Sequence, residues 1–304
     1  MRVQPPSATV LVVIPLYNAA SSVGKAIDSI LSQTYTDYRI LVVDDGSTDG
    51  SGDIAAMYAG DKLTILSQQN SGPAAAMNRA IDFAVENQCA YIARMDADDL
   101  SLPKRLEIQH GLLDENADVA ACSSNCYYID SETEEIIGAS TTSHRPGIIK
   151  WEIKAGLRGM VQGATLFRTS ALVEVGGYRP AFRYAEETDL FLRLAERYEL
   201  LNAKEFLYKI RLHKNSLSTR DVKTNVQYHF YALQCSKNRR ANKSEDDFVT
   251  FVGISNPWLS LRVWHEAFVL RLWRSNMGKR NYLSVILASL LDPRRAIARI
   301  LRKF

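Results

Sequence analysis

The chain is poor in cysteine and has no long apolar run, and both absences narrow what it does. Four cysteines occur in 304 residues: Cys89, Cys122, Cys126 and Cys235. They form no CxxC pair and lack the histidine spacing of a zinc site. Three sit in apolar or strand-like surroundings, so buried thiols in a reducing compartment are expected. No stretch of about 18 apolar residues exists, which argues against a spanning helix. The N-terminus carries no charged-then-apolar leader, and Val10–Leu16 is too short for one. No internal repeat is visible. A net charge of +3 excludes a polyanionic protein and by itself names no partner. Hydrophobic content of 46% with 23% charged residues suits a globular chain with a large core, in one or two domains.

What is present is organised. Residues 256–304 hold ten Lys and Arg against two Asp and Glu, a local charge of +8 that leaves −5 on the rest. An acidic-leaning body therefore carries a basic tail. Residues 10–14 are a β-branched run stopped by Pro15, as in a buried parallel strand. Residues 21–31 follow as an amphipathic helix with Val23, Ala26, Ile27, Ile30 and Leu31 on one face. Residues 40–43 make a second strand, 51–58 a helix, 63–66 a third strand, 73–86 a helix and 91–93 a fourth strand. This βαβαβαβ rhythm predicts an α/β fold, a mostly parallel, doubly wound sheet flanked by helices. Ligands bind such sheets beyond the carboxyl ends of the strands. The segments there are 17–18, 44–46, 68–72 and 96–99. Further on, a helix is expected at 102–116, short strands near 119–128 and 165–167, and helices at 170–175 and 188–198. Beyond about Arg220 the pattern is helical, with a polar loop at 237–247. The predicted division is a domain of residues 1–220 and a basic, amphipathic helical extension of residues 221–304.

The acidic cluster Asp96-Ala97-Asp98-Asp99 follows the last of the early strands. Closely spaced carboxylates at a sheet rim call for a cation or a hydrogen-bonding ligand. Oxygen-only donors suit Mg²⁺ or Mn²⁺, ions that usually arrive with phosphate. The competing reading is a turn that caps the next helix, since Asp98, Asp99 and Ser101 are all good caps.

Four motifs in order carry a resemblance: VVIPLYNAASSVGKAIDSILSQT, LVVDDGSTDGS, QQNSGPAAAMNRAI and MDADDLSLPKRLEIQ. Together they resemble the nucleotide-sugar-binding half of the inverting glycosyltransferases of family 2, whose fold is called GT-A. The resemblance spans roughly residues 8–218. It implies a UDP-sugar donor, with the Pro15 backbone and Tyr17 flanking the base and Asp44 accepting the uracil imide N–H. Asp45 and Gly46 are as well suited to shaping the turn, and Asp49 to capping the next helix. Gly72 and Pro73 allow close backbone approach and a helix start. Asn78 reaches either the donor or a local helix partner. Met77 stands where many relatives carry Arg. The resemblance assigns Asp96 to ribose or sugar hydroxyls and Asp98 to a Mn²⁺ or Mg²⁺ ion, and leaves Asp99 to cap the helix opened at Pro103. The Ala185-Glu186-Glu187-Thr188-Asp189-Leu190 segment resembles the family's A-E-D-x-D-L signature. Glu187 occupies the position of the base, one methylene longer than the usual Asp, and Glu186 competes with it. Asp189 is equally a structural partner for Arg193 one turn later. His213 matches an element that returns to the donor site, as a third metal ligand or a diphosphate contact. Arg211 pairs with the diphosphate or with a nearby carboxylate.

In the tail, Trp258, Leu261, Trp264, Phe268, Leu272 and Trp273 share one helical stripe with arginines around it. Such helices lie in an anionic membrane interface or pack on protein. The expectation is an enzyme at the cytoplasmic face of a membrane, held peripherally, with a glycan or lipid-linked acceptor. Nucleic acid is disfavoured as a partner because no reader motif accompanies the charge. A homo-oligomer remains open. A nucleotidyltransferase would carry a Gly-rich basic loop after the first strand, and Pro15-Leu16-Tyr17-Asn18 is not one. The alternative from another class is a non-catalytic nucleotide-sugar or membrane-surface binding module.

Overall fold

The computed structural model describes residues 9–212 except 158, residues 221–253, and residues 261, 263–265 and 268. The chain opens with β1 (Val10–Leu16), α1 (Val23–Leu31), β2 (Tyr38–Asp44), α2 (Ser51–Ala56), β3 (Leu63–Ser67), α3 (Pro73–Glu86) and β4 (Tyr91–Arg94). These strands pair in the order β3-β2-β1-β4, all parallel. Aliphatic side chains cover both faces of β1 and β2, which is why each reads as a continuous apolar run. Pro15 interrupts this central strand without loss. The β1–β4 pairing ends at Val13 opposite Arg94, so the N–H that proline lacks has no ladder to join.

The second half comprises β5 (Leu100–Ser101), α4 (Arg105–Glu115), β6 (Val119–Asp130), β7 (Ile136–Ser140), α5 (Pro146–Lys154), a 3₁₀ turn (Gln162–Ala164), β8 (Leu166–Arg168), α6 (Thr169–Glu174), α7 (Glu186–Arg197), β9 (Glu199–Leu212), α8 (Val222–Arg240) and α9 (Phe248–Gly253). β8 lies antiparallel between β4 and β6. β9 then pairs parallel with β6, β5 pairs antiparallel with β9, and β7 forms a hairpin with β6. The sheet is therefore mixed: β1 to β4 are parallel as expected, and antiparallel pairings enter with β8, β5 and β7. The reversal occurs because the chain enters β8 from the 3₁₀ turn at the carboxyl edge, not from a crossover helix.

Alternate residues of the strands feed two cores. Leu11, Val13, Leu41 and Val43 face α3 and α5 to α8, while Val10, Val12, Ile14 and Leu16 face α1, α2 and α4. Val222, Val226, Phe230, Tyr231 and Cys235 of α8 belong to the first core, so residues 221–253 share it with the preceding sheet. Tyr228 stacks on Phe248 with ring centroids 3.7 Å apart. α8 runs to Arg240, into the stretch expected to be a loop. The four cysteines are buried as expected, and no disulfide joins them. Burial pushes the Cys122 thiol up to about 12. Among the described residues no helix is long and apolar enough to cross a membrane. His213 and most of the basic tail, including Trp258, Leu272 and Trp273, lie outside the described residues.

Candidate active site

The parallel strands place the ends of β1, β2, β3 and β4 on one rim, and the expected site residues follow them. Tyr17 stands just beyond β1 with 48% of its surface exposed. Asn18 (φ 50°) laces this loop to the next one. Its Oδ1 accepts from Thr48 N–H at 2.9 Å, and its own N–H donates to Ser47 Oγ at 3.2 Å. Asp44, the last residue of β2, accepts from Ser47 N–H at 3.0 Å. Asp45 is buried and shapes the loop before α3. It accepts from Gln68 Nε2 at 2.7 Å and from the Ser71 and Gly72 amides, each at 2.8 Å. Gly72 (φ 85°) has a conformation in which other residues are strained.

Asn78 has a partner that its own helix does not supply. Its amide donates to Tyr178 C=O and accepts from Tyr178 N–H, both at 2.7 Å. It thereby fastens α3 to the Gly176-Gly177-Tyr178 turn. Met77 is buried in the core.

At the acidic rim, Asp96 Oδ1 lies 3.0 Å from Arg94 Nη2, and the Asp96 N–H donates to Tyr208 Oη at 3.0 Å. Gly163 closes over this pair: a Cβ there would sit 2.7 Å from Asp96 Oδ2 and 2.8 Å from Tyr208 Oη. Asp98 C=O accepts from Arg211 Nε at 2.8 Å. Asp99 does not cap α4, contrary to expectation. Its carboxyl turns inward and accepts from the Arg211 N–H at 2.7 Å, while Lys104 holds the cap position. Desolvation, then the charges of Asp96 and Asp98, raise the Asp99 carboxyl well above its ordinary range. The Arg211 guanidinium also donates to Ser131 C=O at 3.3 Å and to Glu134 at 3.0 Å, so it pairs with a carboxylate.

The third group comes from α7. Ala185 adopts a left-handed conformation (φ 56°), a strained arrangement for alanine, and the helix starts directly after it. The start falls two residues earlier than expected, which puts Glu186 and Glu187 in the first turn. Unpaired amides and the helix dipole favour acidic groups there. Both side chains are half-buried. Desolvation first, and then the neighbouring charge of Glu187, push Glu186 up to about 8, with Arg94 opposing. The Arg94 side chain is only 8% exposed, and its Nε has no hydrogen-bond partner among the described residues. Tyr178 is buried beside these groups, accepts from Gln162 Nε2 at 3.1 Å, and is pushed by burial up to about 12. Asp189 is structural. It is fully buried and accepts from Arg193 Nε at 2.9 Å and Arg179 Nε at 3.0 Å. Arg179 and Arg239 also reach Glu245, which ties α8 to α7.

The structure thus places Tyr17, Asp44, Gly72, Asp96 and Asp98 along one rim and brings Asp96 into electrostatic reach of Glu186. Asn78 is engaged elsewhere. Among the described residues, no group of three or more His, Cys, Asp and Glu is gathered to hold a metal. Arg94, Gln162, Gly163 and Tyr208 were not anticipated. Of these, Arg94 left a signal, a basic residue ending an apolar strand directly before the acidic cluster.

A mixed α/β sheet of this kind offers a ligand crevice beyond the carboxyl ends of its strands, and here carboxylates line it. Residues 11–176 match the description "Glycosyl transferase family 2", and the chain belongs to this family. It is 29% identical over 243 residues to EpsE of Bacillus subtilis, covering 78% of this chain and 84% of that protein. It is 25% identical over 245 residues to the chondroitin synthase of Pasteurella multocida, covering 79% of this chain and 24% of that protein. The fold resembles TarS of S. aureus in complex with UDP, with a TM-score of 0.58 and 15% identity over 95% of this chain and 87% of that one. It also resembles the mannosyltransferase PcManGT of Pyrobaculum calidifontis in complex with GDP-Man and Mn²⁺. There the TM-score is 0.57 with 18% identity over 99% of this chain and 86% of that one. The fold is GT-A.

Proposed function

We propose that the protein is an inverting glycosyltransferase that moves a sugar from a UDP-sugar to a hydroxyl of a glycan or lipid-linked acceptor. The observation that carries this reading is the Glu186–Glu187 pair, held at the start of α7 within electrostatic reach of Asp96 at the donor rim. Inverting transfer needs one carboxylate to take the acceptor's proton as the hydroxyl displaces the nucleotide in line. Glu187 is that base. Glu186, pushed up to about 8, keeps its proton at neutral pH and leaves the neighbouring carboxylate to act. Tyr17 and the Pro15 backbone flank the base, Asp44 accepts the imide N–H, the Gly72 loop covers the nucleotide, and Asp96 orients ribose or sugar hydroxyls.

A divalent ion fits the donor set, since the rim offers carboxylate oxygens and one Asp96 oxygen is not taken up by Arg94. Asp98 and His213 would hold Mn²⁺ or Mg²⁺, which when bound neutralises charge on the departing diphosphate. The UDP bound by TarS and the Mn²⁺ bound by PcManGT support this choice, and the likeness to chondroitin synthase supports a role in polysaccharide synthesis. The basic tail, residues 256–304, contacts an anionic membrane at the cytoplasmic face. Trp264, 64% exposed, stacks on Phe268 at 5.5 Å, and the tail carries the charge that such a surface attracts.

The test is a hydrolysis screen of nucleotide sugars with Mn²⁺, run on the wild type and on Glu187→Gln. One UDP-sugar is expected to turn over in the wild type only, with UDP affinity matched within about twofold in the variant. Unchanged turnover in Glu187→Gln removes Glu187 as the base. UDP binding without turnover of any donor favours the non-catalytic module.

A further inference from the structure

Gln162 links the two sides of the cleft, and nothing in donor binding or proton transfer as described above uses it. Its backbone belongs to the 3₁₀ turn, which its neighbours hold firmly. Val161 N–H donates to Ser123 Oγ at 3.1 Å, Val161 C=O accepts from Thr165 Oγ1 at 2.6 Å, and Ala164 C=O accepts from the buried Gln109 Nε2 at 2.7 Å. The next residue, Gly163, leaves no room for a side chain between itself and the Asp96 carboxylate. The Gln162 side chain reaches the other way, where its Nε2 donates to Tyr178 Oη at 3.1 Å. Tyr178 is buried, and both of its backbone hydrogen bonds to Asn78 fix it in the turn that leads toward α7. The Gln162 residue is half-buried, and its Oε1 and second amide N–H have no hydrogen-bond partner among the described residues. An amide held in this way, with one acceptor and one donor to spare, matches a hydroxyl, which both donates and accepts.

We propose that Gln162 is a specificity-determining residue: its amide hydrogen-bonds one hydroxyl of the sugar being transferred, and Tyr178 is the positioning residue that orients it. The proposal rests on the transferase reading above. In an inverting displacement the nucleotide leaves from one face of the anomeric carbon. The acceptor, with the base behind it, approaches the other face. The transferred sugar therefore lies between the Asp96 rim and the start of α7. The Gln162–Tyr178 hydrogen bond joins those same two supports, the turn packed on Asp96 and the turn leading to α7, so the unused amide groups border that sugar. A site that hydrogen-bonds a particular hydroxyl rejects the analogue lacking it, because the protein group is then left unpaired. One amide so placed separates sugars that share the same nucleotide.

The experiment takes the UDP-sugar selected by the hydrolysis screen, together with analogues that each lack one hydroxyl of its sugar. It compares the full chain with Gln162→Ala, Gln162→Met and Tyr178→Phe, and kcat/KM for donor hydrolysis is measured without acceptor. The wild type is expected to reject one analogue by at least about tenfold. Gln162→Ala and Gln162→Met should reduce that one ratio by about 3- to 10-fold, the worth of one neutral hydrogen bond, and leave the other ratios within about twofold. Tyr178→Phe loses part of the same ratio, and nothing further in the Gln162→Ala background. Ratios that do not change, or a fall in kcat/KM equal for the parent sugar and every analogue, overturn the proposal, since a purely structural Gln162 predicts them. So does a loss confined to transfer onto an acceptor with hydrolysis unaffected, which assigns the hydroxyl to the acceptor sugar. Additive losses in the double variant overturn the role given to Tyr178. Gln162→Met keeps the bulk of the side chain and decides the matter if Gln162→Ala does not fold. A chain that binds UDP-sugars without turning them over defeats the transferase reading alone, because the same ratios are then read from binding by calorimetry.

Discussion

Replacing Gly163 by alanine adds one methyl group and should disable donor recognition without unfolding the protein. The new Cβ would lie 2.7 Å from Asp96 Oδ2 and 2.8 Å from Tyr208 Oη, whereas ordinary contact begins near 3.4 Å. Something must therefore move by roughly 0.6 Å. Neither neighbour yields easily. Asp96 is held by Arg94 at 3.0 Å, and Tyr208 is fully buried with its hydroxyl accepting from the Asp96 N–H. The displaced group is thus the Asp96 carboxylate, the one assigned to the sugar or ribose hydroxyls. Sub-ångström misplacement of a positioning group costs about 10- to 100-fold, equivalent to about 1.4–2.8 kcal/mol of transition-state stabilisation. Steady-state donor hydrolysis should show that loss in kcat/KM. A thermal melt controls for folding. A folded Gly163→Ala protein with kcat/KM within twofold of the wild type refutes the argument.

Glu186→Gln tests the other carboxylate through stability. The folded protein holds the Glu186 proton up to about 8, whereas an unfolded glutamate releases it near 4.3. Between those values the native state binds more protons, so wild-type stability falls as pH rises through that window. The glutamine variant lacks this slope and should be the more stable protein at pH 8, by about 1–3 kcal/mol after solvent screening, with the difference vanishing near pH 4. Urea unfolding across pH checks it, and parallel curves would be inconsistent with a raised Glu186. Asp189→Ala leaves Arg179 and Arg193 facing each other across a buried gap and should cost about 3–5 kcal/mol in the same assay. A loss below about 1 kcal/mol would show that the ion network is solvated.

The first half of the fold was legible because its strands are buried on both faces. Residues 10–14 and 40–43 are unbroken aliphatic runs, and the helices between them keep one apolar stripe. The second half was harder for identifiable reasons. β8 has three residues, too few for any period to show. β9 was missed because the irregular register around Asn125, where β9 carries extra residues, breaks its alternation. The start of α7 depends on a left-handed Ala185, which composition does not announce. The site divided the same way. Asp44 and Asp96 could be put on the rim because one ends β2 and the other follows β4, but what Asp45, Asn78 and Asp99 bond depends on partners 23 to 112 residues away. Arg94 escaped notice because an arginine in a strand suggests an edge, and here the strand is central.

The pairing of β5 with β9 also sets an order of events during synthesis. β1 to β4 involve only the first 94 residues and can associate as soon as that stretch leaves the ribosome. The acidic loop made with them is not secured until Arg211 arrives, 112 residues after Asp99, because Arg211 bonds both the Asp99 carboxyl and the Asp98 carbonyl. At ordinary translation rates that interval is on the order of 10 s. Throughout it the carboxylate rim of the nascent chain lacks the Arg211 bonds that fasten it. The half of the molecule that reads as the binding domain therefore acquires its finished binding edge only after the chain beyond it has been made.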